Sequence, residues 1–335
     1  MSFLDILRRV ADGETLGARD MEAALSHIFE GEVPEEQAAA FLTGLRVRGE
    51  TTEELLSAIR FLKLRAVNIS SPEGAVDCCG TGGDGISTVN ISTAVAIVAA
   101  GAGVTLAKHG SRAVTSKSGS SEVLSQLGVD LTETIETQEK RLAEDGLAFL
   151  FAPNHHPILA KVAPLRKVLG LRTMFNILGP MMNPAGARRQ LLGVFDAALA
   201  PRFAEVLRAE GSKHAWVVHG AGGMDELSLA GGNEVTELKD NEVRSFVVTP
   251  EDAGLKRRAN EDLVGDTPEE NAKALRAVLE GEEGAYRDAV LFNTAASLIV
   301  AGKTDDLTEG AKLAAEAIDS GAAKEKLRLL TTEKA

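Results

Sequence analysis

Along residues 3 to 66 the apolar positions recur at helical spacing. Leu4, Ile6, Leu7 and Val10 predict one short amphipathic helix, and Ala38, Ala39, Phe41, Leu42 and Leu45 another. Thr51 followed by Glu54 has the spacing of a capping box and predicts a third helix over Leu55 to Leu64. Pro34-Glu35-Glu36 carries the signature of a helix start. Short connections make this a small helical unit. Near Val67 to Val76 the pattern changes, and Ser70-Ser71-Pro72-Glu73-Gly74 reads as a linker. Beyond it, short apolar runs alternate with helical periodicity. Ala148-Phe149-Leu150-Phe151, Leu191-Leu192-Gly193-Val194-Phe195 and Ala215-Trp216-Val217-Val218 predict buried strands. Pro201 to Arg208 and Glu269 to Leu279 predict helices between them, and Glu309 to Leu330 a closing helix pair. The alternation predicts an α/β domain with a largely parallel sheet.

The length of 335 residues favours two domains. Hydrophobic residues make up 44% and aromatics only 4%, so the core is expected to be aliphatic and alanine-rich. A single Trp216 and a single Tyr286 argue against an aromatic platform for single-stranded nucleic acid. A formal net charge of −13 argues against general binding to nucleic acid or an anionic membrane. Any anionic ligand therefore needs a locally cationic pocket. Cys78 and Cys79 are adjacent, a spacing that fits neither a redox nor a zinc motif. They read as buried thiols of a reduced, cytoplasmic protein. No signal peptide is expected, and the longest apolar run, Ala94 to Ala107, is too short and glycine-broken to span a bilayer.

Gly80-Thr81-Gly82-Gly83-Asp84-Gly85 satisfies the GxGxxG pattern. A dinucleotide site would also need a helix opening at the loop and an acid roughly 20 residues further on. Residues 98 to 106 offer no acid, and Asp84 would repel a pyrophosphate unless a cation intervened. No Gly-Lys-Ser/Thr follows, so the P-loop reading fails too. A purely structural turn stays open at this point. Asn90, Ser92 and Thr93 then precede an apolar helix, Ala94 to Ala100; they are ordinary caps or, facing a glycine turn, part of an anion site. From Gly85 to Ser121 there is not one Asp or Glu, although acids make up 49 of the 335 residues. The same window holds Lys108, His109, Arg112 and Lys117 beside the hydroxyls of Ser111, Thr115, Ser116, Ser118, Ser120 and Ser121. A solvated basic loop would explain this; in an acidic chain a phosphate cradle explains it better.

Three further features carry candidate chemistry. His155-His156 with Lys161 and Arg166 could form a second polar rim, or be structural. Arg166 could grip a carboxylate bidentately, or sit in a surface ion pair. Asp225-Glu226 follows the turn Gly220-Ala221-Gly222-Gly223. Adjacent carboxylates in a loop can converge, and two carboxylates with substrate phosphates are a common way to hold Mg²⁺. A solvated acidic turn is the alternative.

Together the motifs resemble one family. Gly80 to Asp84, Asn90-Ile91-Ser92-Thr93, Lys108-His109-Gly110, Thr173 to Pro180 with Asn183-Pro184-Ala185, and Gly223-Met224-Asp225-Glu226 resemble the anthranilate phosphoribosyltransferases of tryptophan biosynthesis. The resemblance runs from the N-terminal helices through Thr267-Pro268-Glu269-Glu270-Asn271 to the C-terminal helices. It implies a small helical N-terminal domain over 1–70, joined by about 165–185, and a large α/β domain over 71–335 with a mostly parallel central sheet flanked by helices. It implies attack of the anthranilate amine on 5-phosphoribosyl 1-pyrophosphate (PRPP) with loss of pyrophosphate, dependent on Mg²⁺ as two ions. By motif, Gly80, Gly83, Asp84, Thr88, Asn90, Ser92, Thr93, Lys108, His109, Gly110, Ser111, Arg112, Ala113, Ser116 and Ser120 should meet PRPP. Ser92, Asp225 and Glu226 should hold the metal, and Gly80, His109, Ser111 and Arg166 the anthranilate. No general acid or base is implied. The partners implied are small-molecule substrates and a second copy of the chain, docked through the helical domain, with no nucleic acid and no membrane.

One departure stands out. After Lys-His-Gly the family has Asn and then Arg; here Ser111 precedes Arg112. Serine is shorter and lacks the amide, so one acceptor contact worth ~1 kcal/mol is weakened. Ser121-Glu122 is a milder variation, where the family more often has Ala-Asp. Two rival readings are a nucleoside phosphorylase, whose loop and lysine motif differ, and a non-catalytic nucleic-acid binder, against which the net charge and Asp225-Glu226 both speak.

Overall fold

The computed structural model describes residues 1–112 and 118–331. Four helices open the chain: α1 Phe3–Ala11, α2 Ala18–Glu30, α3 Glu35–Arg48 and α4 Thr52–Lys63. Helix α2 is absent from the sequence expectation, although Met21, Ala24, Leu25, Ile28 and Phe29 recur at helical spacing and are all buried. In α1 the buried positions are Phe3, Ile6 and Val10, whereas Leu4 faces out. The capping box forms as expected. Thr51 N–H donates to Glu54 Oε2 at 2.8 Å, and Glu54 N–H donates to Thr51 Oγ1 at 3.2 Å. The helix therefore starts at Thr52, one turn earlier than the apolar pattern alone placed it.

Glu54 also ties the unit together. Its side chain is fully buried and accepts from Leu16 N–H at 2.8 Å and from Arg48 Nη2 at 2.6 Å. The core of the four helices continues into later segments. Leu165, Met174, Phe175, Ile177, Leu178 and Met181 belong to the same buried cluster, and Phe175 meets Phe29 edge-on at 5.8 Å.

The described residues after the linker build a seven-stranded sheet of order β3-β2-β1-β4-β5-β6-β7. Its strands are β1 Val76–Gly80, β2 Leu106–Gly110, β3 Leu147–Phe151, β4 Arg189–Gly193, β5 His214–His219, β6 Asn233–Lys239 and β7 Glu242–Val248. The first five run parallel; β6 and β7 add an antiparallel hairpin that the sequence reading did not anticipate. Its turn residues Asp240 and Asn241 take φ of 52° and 66°, a conformation these side chains tolerate. The expected strands at 148–151, 191–195 and 215–218 lie in or across β3, β4 and β5. Helix α5, Ile91–Gly101, is apolar on all sides beyond Thr93 and packs inside the core with the helix Ala285–Ala301. Cys78 and Cys79 are buried, free thiols on β1. No helix among the described residues is long and apolar enough to cross a membrane.

Strand order reverses between β1 and β4, so loops leaving their carboxyl ends diverge to opposite sides and leave a crevice. β1 meets β2 at Val76 opposite Leu106, and further along side chains bridge the two strands. Asp77 Oδ1 accepts His109 N–H at 3.1 Å, and Lys108 Nζ donates to the Cys78 carbonyl at 2.8 Å.

Removing the buried acid should be costly. Glu54→Ala leaves Arg48 and two backbone amides without their acceptor, and should lower unfolding stability by about 3 kcal/mol in urea titrations. A loss below about 1 kcal/mol would show that water replaces the carboxylate there.

Candidate active site

The crevice holds a cavity of about 350 Å³. Gly80, Gly83, Asn90, Ser92, Thr93, Lys108, His109, Gly110, Ser111, Arg112, Ser120, Arg166, Asp225 and Glu226 line it. A smaller adjoining cavity of about 120 Å³ shares Gly83, Asn90, Ser92, Asp225 and Glu226 and adds Asp84 and Thr88. Every described residue singled out for substrate or metal thus faces one of two connected spaces. Ala113 and Ser116 lie outside the described residues.

The glycine loop follows β1 directly. Thr81 N–H donates to the Gly193 carbonyl at 2.9 Å, and Phe195 N–H donates to Thr81 Oγ1 at 3.2 Å, which stitches the loop to the end of β4. The next helix, α5, opens only at Ile91, so the loop is not the strand-to-helix turn of a dinucleotide fold. Asn90 occupies the cap position of α5 but does not cap it. Its Oδ1 instead accepts from Asn271 Nδ2 at 3.0 Å and from Ser118 Oγ at 3.3 Å. The physical reason lies across the cavity: Glu226 Oε1 accepts Ser92 N–H at 3.2 Å, so the helix terminus already has its anion.

Asp225 and Glu226 sit deep in the crevice with one edge open to the cavity. Asp225 Oδ2 accepts Gly82 N–H at 2.6 Å. The approach is so close that a Cβ on Gly80 would stand 2.2 Å from the same oxygen, and one on Gly193 1.6 Å from the Asp225 carbonyl oxygen. Burial, and then the neighbouring Asp84, push the Asp225 carboxyl well above the usual carboxylate range. Burial, and then Asp225, push Glu226 up to about 8. No Lys or Arg among the described residues forms an ion pair with either carboxylate, and the described residues contain no ready-made group of three or more metal-binding side chains.

The cationic wall comes from β2. Lys108 is buried, and its Nζ reaches Ser92 Oγ at 3.2 Å. His109 is buried beside His156, ring centroids 5.1 Å apart and edge-on. Burial, and then the other imidazoles, hold His109 down at about 3; burial holds His156 at about 4. Both rings are therefore neutral near pH 7. Ser120 Oγ donates to the Ser111 carbonyl at 3.2 Å, and Arg112 lies 5.8 Å from the centre of the Phe151 ring. Arg166 lines the cavity half-buried, and desolvation lowers its pKa.

The second rim expected at 155–166 is divided. His155 Nδ1 donates to the Val67 carbonyl at 2.8 Å and Lys161 Nζ to the Phe29 carbonyl at 3.1 Å, both structural roles. Only His156 and Arg166 reach the cavity. Sequence reasoning missed Arg172, whose guanidinium lies against Gly83 and 4.5 Å over the Phe195 ring. It also missed the apolar wall of Leu159, Phe175 and Met182. The only available signal for Arg172 was its place one residue before the Thr173 to Pro180 run.

The neutral histidines yield a pH prediction. An unfolded His titrates near 6.5, so below that pH the unfolded chain binds a proton that buried His109 refuses. The contribution is full above about pH 6.5 and is lost as pH falls toward about 3. A His109→Asn variant should therefore lose less unfolding stability than the parent between about pH 7 and pH 5, read from urea titrations at both values. An equal loss in both proteins would mean that the ring is protonated in the fold.

Comparison with known proteins places the chain. The sequence pattern of the glycosyl transferase family helical bundle domain matches residues 4–65, and that of the family's a/b domain matches residues 72–324. A protein of Parvibaculum lavamentivorans named anthranilate phosphoribosyltransferase is 52% identical over 328 residues, covering 98% of this chain and 96% of its own. The crystal structure of the Thermus thermophilus anthranilate phosphoribosyltransferase superposes with a TM-score of 0.91 at 41% identity, covering 98% of each chain. The Saccharomyces cerevisiae enzyme in complex with PRPP and Mg also gives 0.91, at 30% identity over 98% of this chain and 96% of that one.

Proposed function

The chain belongs to the anthranilate phosphoribosyltransferase family, and from this membership and the crevice we propose that it transfers the 5-phosphoribosyl group of PRPP to the amine of anthranilate in tryptophan biosynthesis. One observation carries the reading. Two partly open carboxylates that form no direct ion pair with any Lys or Arg among the described residues share a cavity with the glycine loop, the α5 terminus and Lys108. That donor set fits Mg²⁺, which is usually held by one or two carboxylates and completed by substrate phosphates. Asp225, Glu226 and the Ser92 hydroxyl would hold it, as two ions. When bound, the metal neutralises phosphate charge and makes pyrophosphate a better leaving group.

The protein's own groups do the rest. The amides of Gly83, Asp84 and Gly85 and hydroxyls of Thr88, Ser92 and Thr93 line the diphosphate, with Gly80 and Asn90 beside them. Lys108 adds a buried positive charge near the departing oxygen. Arg166 takes the anthranilate carboxylate, with Gly80, His109 and Ser111 around the ring. The amine nitrogen bonds to C1 as the C1–O bond breaks; the pair leaves with pyrophosphate, and one amine proton passes to solvent. Low-pKa His109 and His156 cannot serve as acids near neutrality, which agrees with catalysis by positioning and electrostatics.

In this reading residues 1–70, joined by about 165–185, form the helical unit and 71–335 the transferase unit, in a cytoplasmic enzyme. A homodimer through the helical unit is part of the proposal; exposed Leu4 on α1 and Val47 on α3 supply apolar surface there.

The test follows anthranilate fluorescence. It should change on addition of PRPP with Mg²⁺ and stay constant when the metal is chelated. Asp225→Ala and Glu226→Ala should each lower the rate at least about a hundredfold, the order expected when a metal-dependent charge contact is lost. Unchanged rate and Mg²⁺ dependence in both variants would remove the metal assignment. Ser111→Asn should lower the anthranilate KM about fivefold with kcat unmoved, matching ~1 kcal/mol of restored hydrogen bonding. An unchanged KM would show that Ser111 does not touch the acceptor.

A further inference from the structure

Arg172 stands between two walls of the cavity and has no role in the reading above. It precedes Thr173, which is buried and fixed by its own capping box, Thr173 N–H donating to Asn176 Oδ1 at 3.0 Å. The backbone next to Arg172 is therefore held by hydrogen bonds, while its neighbour Leu171 faces solvent. The side chain crosses to the opposite wall. Its guanidinium stacks 4.5 Å over the Phe195 ring and donates through Nη2 to the Gly83 carbonyl.

The close guanidinium requires a glycine at Gly83. It takes φ of 82°, and a Cβ there would stand 3.0 Å from Arg172 Cζ. The loop around it is glycine-rich, and an unordered glycine loop loses much conformational freedom when a ligand fixes it. The N–H groups of Gly83, Asp84 and Gly85 have no protein acceptor among the described residues. These are the donors an anion would use. Arg172 engages only the carbonyl side of the loop, so it holds the loop without competing for those donors. In a trans peptide the carbonyl and the following N–H point opposite ways, so pinning the Gly83 carbonyl also aims the Asp84 N–H away from Arg172.

We propose that Arg172 is a positioning residue that pre-orders the glycine loop for the diphosphate of PRPP. Its stack on Phe195 sets the guanidinium plane, and the guanidinium sets the Gly83 carbonyl. The loop then pays less ordering entropy on binding, which appears as substrate affinity. The role rests on the proposed transferase reading for its ligand, but not for the loop contact itself.

The test pairs a loop measurement with kinetics. In ligand-free protein labelled with ¹⁵N-glycine, the Gly82 and Gly83 amides should show order parameters near the rigid value of about 0.85, falling below about 0.6 in Arg172→Ala. Phe195→Leu should loosen them in the same direction but less. In the Mg²⁺ assay Arg172→Ala should raise the KM for PRPP about tenfold and leave the anthranilate KM within about twofold. Arg172→Lys, which keeps the charge and loses the planar stack, should recover only part of the loss. Equal loop order in parent and Arg172→Ala overturns the inference, as does a raised anthranilate KM with the PRPP KM unmoved. A parent enzyme that turns over no anthranilate sinks the transferase reading instead, and the loop measurement still decides the role of Arg172.

Discussion

The active crevice depends on one close approach, that of the Asp225 peptide to the carboxyl ends of β1 and β4. Gly80 and Gly193 face each other in register at those ends, and neither position has room for a side chain beneath Asp225. The approach is possible because strand order reverses there and the outgoing loops part. It places two carboxylates against a glycine loop and a helix terminus, both of which present N–H groups. Sheet topology, glycine placement and the charge of the site are therefore one constraint. A side chain at either glycine would move the acids, and with them every donor they face.

Placing charge in such a crevice costs stability. The carboxylates are desolvated and lie near each other and Asp84, which is why their protons bind more tightly than usual. Protein groups offset part of this. Gly82 N–H and Ser92 N–H donate to the two acids, and buried Lys108 lies within reach of Ser92. The offset is incomplete, and in the proposed reading the remaining ligands are those an oxygen-binding cation would take. The sheet does the same on the cationic side. Asp77 and Lys108 bridge β1 and β2, and Lys108 and His109 line the cavity.

The sequence made the overall plan legible through its two periodicities. A helical unit, an alternating α/β region and a closing helix pair are all visible in the spacing of apolar residues. The failures have separate physical causes. β1 and β2 were not predicted as strands because Asp77, Lys108 and His109 put polar groups where a buried strand should be apolar. Lys108 and His109 line the cavity and Asp77 accepts the His109 N–H, so the pattern breaks beside the cavity. The β6–β7 hairpin escaped because Glu237, buried on β6, accepts from Trp216 and Arg244 and spoils the alternation. Helix α2 has a legible helical spacing at Met21, Ala24, Leu25, Ile28 and Phe29. Asn90 looked like a cap because its residue type favours one; a glutamate far away in sequence took that role. Arg172 is the instructive case, since a lone arginine has no pattern, and only the fold shows that it meets Phe195 and Gly83.

Charge balance completes the argument. In a chain with formal net charge −13, the stretch from Gly85 to Ser121 carries no acid, and the acids that do face the cavity come from Asp84 and from a loop far along the chain. In the proposed reading, a bare pyrophosphate entering this cavity would meet Asp84, Asp225 and Glu226 in a poorly solvated space, where ionising the acids beside another anion is opposed far more strongly than in water. With a divalent ion between them, the same carboxylates become attractive. In the proposed reading the acids then act as a gate on charge: they oppose the bare diphosphate and favour its metal complex. Selectivity of that kind needs no moving part. It needs only that the carboxylates stay fixed and that the loop amides stay aimed, which returns the site to the glycines under Asp225 and the guanidinium over Phe195.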